Sequence, residues 1–77
     1  MNREKYFQAK NQHYEFLHAE LESKIVTLGK LIIVRLSAEE LKDKTMYQIF
    51  NDKISDVKLE IAELKKSIEL LEKELKL

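Results

Sequence analysis

The sequence predicts an all-α fold: a long antiparallel hairpin of two helices, the second carrying a coiled-coil seam, that dimerises into a four-helix bundle. Three observations lead there. Between Phe50 and Leu75, apolar residues recur in alternating steps of four and three, at Phe50, Ile54, Val57, Ile61, Leu64, Ile68, Leu71 and Leu75, the spacing that keeps one seam on one helix face. The 77 residues include no proline and one glycine, so the residues that most often interrupt helices are almost absent. Near the middle, Ser37 followed three residues later by Glu40 is a capping-box pattern, in which a hydroxyl and a carboxylate satisfy two orphan amides at a helix start.

The first helix is expected over about residues 3–35. Asn2 is its candidate N-cap and Glu4 lies in its first turn, after which Phe7, Tyr14, Leu17, Leu21, Ile25, Leu28, Ile32 and Leu36 recur at helical intervals. Asn11 and His18 interrupt this stripe. Residues 25–36, IVTLGKLIIVRL, place apolar side chains on nearly every side of a helix, which requires burial all round, as at the centre of an oligomer. An alternative is a short β-hairpin over 25–36: six of these residues are β-branched, and Gly29 with Lys30 suits a two-residue turn. The helix is expected to break near Leu36 and Ser37, with a second helix over about 38–76.

Folding back at Ser37 sets Leu28 near Tyr47, Ile25 near Phe50, Leu21 near Ile54, Tyr14 near Ile61 and Phe7 near Ile68. The same alignment sets His18 against Val57 and Asn11 against Leu64, where a buried polar group without a partner costs about 1–3 kcal/mol. That mismatch predicts that another molecule covers the seam. Phe50, Ile54, Val57, Ile61, Leu64, Ile68, Leu71 and Leu75 are therefore the expected interface of a homodimer or higher homo-oligomer. β-Branched Ile54, Ile61 and Ile68 at one heptad position, with Leu64 and Leu71 at the other, favour two strands.

The length allows a single helical domain spanning residues 1–77, with a thin margin against chain entropy. Fourteen basic residues balance fourteen acidic ones, so the electrostatic footprint of a nucleic-acid-binding protein is missing. Cysteine is absent, which excludes disulfides, a thiol nucleophile and thiolate metal sites. The N-terminal stretch is polar, and the longest apolar run is interrupted by Thr27, Lys30 and Arg35; neither a signal peptide nor a membrane span is expected. The expected location is cytoplasmic.

Chemistry-bearing patterns are sparse. Glu15 and His18 share the i, i+3 spacing that bundle proteins use to present a carboxylate and an imidazole to a metal. His13 points elsewhere on the helix. Nothing resembles a nucleophile elbow, a catalytic triad or a phosphate-cradling loop, so no catalytic, cofactor-binding or metal residues are assigned and the chain is not expected to be an enzyme. Tyr6 and Phe16 lie off the apolar stripe and are the candidate contacts for a different protein. The function that follows is a non-catalytic helical protein–protein interaction module: a small adaptor, regulator or inhibitor. Two alternatives accompany it. With a β-hairpin at 25–36, the layout resembles a shortened prefoldin subunit, and the resemblance implies a chaperone or assembly role. With Glu15 and His18 turned inward, the chain becomes half of a metal-binding bundle.

Overall fold

The computed structural model describes residues 3–75. Two helices, α1 (Arg3–Glu40) and α2 (Lys44–Leu75), pack along their lengths as an antiparallel hairpin, and no strand occurs among the described residues. The molecule is a rod of 62 × 16 × 14 Å, its long dimension close to the roughly 57 Å of α1 itself at 1.5 Å per residue. Residues 25–36 are helical throughout, so the alternative β-hairpin does not form and the prefoldin-like layout goes with it. Gly29 sits inside α1 with a negative φ. The backbone hydrogen bonds of a continuous helix outweigh the β preference of the Ile and Val side chains there. The expected cap at Asn2, and the end of the second helix at Lys76, lie outside the described residues.

The chain turns at Leu41–Asp43 rather than near Leu36 and Ser37. Ser37 does not cap. Its hydroxyl donates to the Ile33 carbonyl one turn back (3.2 Å), and its own carbonyl accepts from Leu41 N–H (3.0 Å), so the helix runs straight through it. The end of α1 is a Schellman motif: Asp43 N–H reaches the Ala38 carbonyl (2.9 Å) and Lys42 N–H the Glu39 carbonyl (3.1 Å), with Lys42 in the left-handed region at φ 58°. Asp43 then serves as N-cap of α2, its Oδ1 accepting from Met46 N–H at 3.0 Å. One residue thus closes both helix ends. Ala38 beneath the turn is 3% exposed, and its small side chain lets the two helices approach closely where they join.

Moving the turn slides one helix along the other. Tyr14, expected opposite Ile61, instead packs against the cluster of Leu17, Ile68 and Leu71 and lies beside Glu72. Lys24 faces Glu60, and Lys10 faces Glu74. For Tyr14 the displacement is about three helical turns at 3.6 residues each, so apolar positions still meet apolar positions. Both registers therefore look plausible in the sequence, and the turn chemistry selects one.

These assignments predict an unequal response to substitution at the turn, read as urea midpoints at fixed protein concentration. Asp43→Ala should lose about 1 kcal/mol with the cap, whereas Lys42→Gly should gain about 0.5–1 kcal/mol by relieving the left-handed backbone. Ser37→Ala should be neutral or slightly stabilising. If Ser37→Ala were the costliest of the three, the turn would lie at residue 37 after all.

Candidate interaction surface

The seam of α2 is covered by α1 of the same chain. Ile54, at 2% exposure, is the most buried seam residue, followed by Ile68, Leu71 and Ile61; Phe50, Val57, Leu64 and Leu75 are half-buried. Leu17 joins Ile68 and Leu71 in one cluster, flanked by Tyr14, Leu21, Leu64 and Leu75. In the observed register the two polar residues of α1 no longer fall against the seam. His18 is half-buried, its ring edge-to-face with Tyr14 (centroids 4.6 Å apart, 74° between planes), and Asn11 is exposed, so neither polar group is sealed against Val57 or Leu64. Among the described residues no polar or charged residue is buried in the core.

Polar contacts between the helices lie along the flanks of this core. Arg35 Nη1 donates to Asn51 Oδ1 at 2.9 Å, and its guanidinium lies over the Tyr47 ring, 5.9 Å from the centroid, tying the helices near the turn. Further along, Lys24 Nζ is 2.6 Å from Glu60 Oε2, and Lys10 Nζ is 2.8 Å from Glu74 Oε2. Glu60 Oε2 is shielded from water and makes no directed hydrogen bond; the nearby Lys24 ammonium supplies its countercharge. Contact with Glu74 holds Lys10 above its ordinary value near 10.5, and contact with Glu60 does the same for Lys24. Desolvation, reinforced by the charge of Glu72, raises the Tyr14 phenol above 10.0.

What remains exposed is unusually apolar. Tyr6 and Phe16, the candidate partner contacts, are both on the surface, Phe16 at 61% exposure. Tyr6 packs edge-to-face with Phe7 (5.7 Å) and lies under Lys10, whereas Phe7, which the sequence placed on the inner stripe, is itself exposed. The larger surprise is α1 between Ile25 and Leu36. Leu28, Leu31 and Ile32 are half-buried, while Ile25, Val26, Ile33 and Leu36 face solvent, with Val26 at 58% and Ile33 at 64%. One apolar side of this segment meets α2, and the other is left exposed among the described residues. The sequence carried this signal in the all-round apolarity of 25–36, although no residue there was singled out as a contact.

Concave features do not converge on chemistry. An open depression of about 520 Å³ lies at the turn between Ala38, Lys42, Asp43 and Tyr47, too exposed to enclose a small molecule as ligand sites do. Among the described residues no three His, Asp or Glu side chains group to hold a metal, and Glu15 is exposed on the helix surface. No described helix is long and apolar enough to cross a membrane. No protein-family model matches the chain, and neither curated proteins nor solved structures give a significant match.

Two measurements test this description. Ile54→Val, removing one methyl from the most buried seam position, should cost about 0.5–1.5 kcal/mol without reducing helicity at low temperature. Alkaline pH should destabilise the hairpin. The lysine contributions are complete below 10.5 and disappear as pH climbs through the raised folded values, and the phenol stays neutral in the folded chain where the unfolded one ionises. In all three cases the folded state holds the extra proton, so thermal midpoints should fall above about pH 10, and less steeply in Glu60→Gln. A midpoint unchanged through that range would contradict the ion pairs.

Proposed function

We propose that the chain is a non-catalytic helical interaction module, a small cytoplasmic adaptor, regulator or inhibitor that acts by placing an apolar helix surface against another protein chain. The observation that carries this reading is the exposed side of α1, where Ile25, Val26, Ile33 and Leu36 stand in solvent on a rigid rod. Scattered surface leucines need no explanation, but neighbouring large aliphatics on one helix face mark association sites in soluble proteins. Phe16, farther along the same helix, adds an exposed aromatic anchor of the kind that dominates interface energetics. Balanced charge supports a protein partner over a polyanion. Because the elongated shape offers long helix faces and its depression at the turn is open, recognition by helix-on-helix packing suits it better than capture of a small ligand.

Site-specific photocrosslinking in the organism of origin tests the reading. With p-benzoylphenylalanine in place of Ile33 or Phe16, irradiation should give discrete protein adducts. The same group at Lys66, an exposed polar position on α2, should give few. Equal, weak labelling at all three positions would remove the interaction reading.

A further inference from the structure

Building on that reading, we infer that the occupant of the exposed α1 face is a second copy of this chain, packed antiparallel across a two-fold axis that passes through Gly29. The face comprises Ile25, Val26, Gly29, Ile32, Ile33 and Leu36, with Lys30 at its margin. Four of its residues are symmetric about the glycine: isoleucines lie four positions to either side, at 25 and 33, and β-branched residues three positions to either side, Val26 and the half-buried Ile32. An antiparallel copy centred on Gly29 therefore sets Ile25 against Ile33 and Val26 against Ile32 in an isologous contact, with Leu36 against Glu22 at its edge. Farther out, the same alignment sets His18 opposite Glu40, a donor facing an acceptor.

Gly29 itself points the same way. It is the only glycine in the chain, sits mid-helix where glycine is disfavoured, and has nothing within 4 Å of where a Cβ would be. Neither backbone conformation nor packing within the hairpin accounts for it, whereas a second helix crossing at this position approaches closely only if the side chain is missing.

Area and charge favour self-association as well. A compact monomer of 9.2 kDa exposes roughly 4,900 Å², yet this chain exposes 6242 Å². The excess, roughly 1,300 Å², comes with the elongated 62 × 16 × 14 Å shape and leaves room for the roughly 800 Å² per partner of a standard stable interface. With formal charge zero, two copies do not repel. Isoleucine and valine also lose little rotamer freedom on burial.

Sedimentation equilibrium on the untagged full chain, combined with cysteine crosslinking, tests the inference. The wild-type chain should approach twice its 9.2 kDa mass at micromolar concentration. Ile33→Lys and Gly29→Leu should each weaken the dimer by about tenfold or more. Both should keep full helical circular dichroism, because neither position is packed within the hairpin. Since the chain has no cysteine, an equimolar mixture of Ile25→Cys and Ile33→Cys chains should form mixed disulfides faster than either variant alone. A wild-type monomer, a dimer indifferent to both substitutions, or same-position disulfides forming fastest would overturn the inference. A monomer that still photocrosslinks through position 33 to a different protein would sink the second copy and leave the interaction module standing; a monomer without adducts would sink both.

Discussion

The structure depends on one contact, the line along which Ile54, Ile61, Ile68 and Leu71 of α2 settle against Leu17, Leu21 and their neighbours on α1. A two-helix hairpin has no third element to shield this line, so nearly all the burial available to the chain is spent there. Everything polar then arranges itself at the margins. Arg35, Lys24 and Lys10 tie α1 to α2 along the rod, and their charges stay partly hydrated, where ion pairs contribute direction and register more than bulk stability.

That contact has a definite register only because the turn is where it is. The Schellman motif around Lys42 and the cap at Asp43 place the end of one helix and the start of the next within three residues. A left-handed lysine is a strained choice for such a position, and the turn it makes lets α1 continue to Glu40, with Ala38 buried beneath it and Leu28 and Leu31 half-buried. The alternative break at Ser37 would gain a capping box but forgo the last turn of α1, with its backbone hydrogen bonds and the burial of Ala38.

The two helices are built differently, and the difference bears on function. α2 is amphipathic, with one apolar edge turned toward α1 and four of its residues buried. α1 is apolar on two sides over residues 25–36, and a single partner helix can cover only one of them. The hairpin leaves aliphatic side chains exposed over several turns, and Gly29 lies at the centre of that side with nothing within 4 Å of where a Cβ would be. The seam most regular in sequence packs against α1 within the hairpin, and α1 keeps a second apolar side exposed.

Much of this was legible in the residues alone, in particular the helical class, the two-helix count, the periodic edge of α2, and the excess apolarity of 25–36, because each follows from local composition and spacing along one helix. The tertiary structure decided the rest. Choosing between Ser37 and Asp43 as the turn, and so between Ile61 and Leu71 as the neighbours of Tyr14, requires comparing whole packed arrangements that differ by about three helical turns and look alike in apolar pattern. Which side of residues 25–36 faces inward is likewise a property of the pair, since a helix that is apolar all round carries no orientation of its own until another helix lies against it.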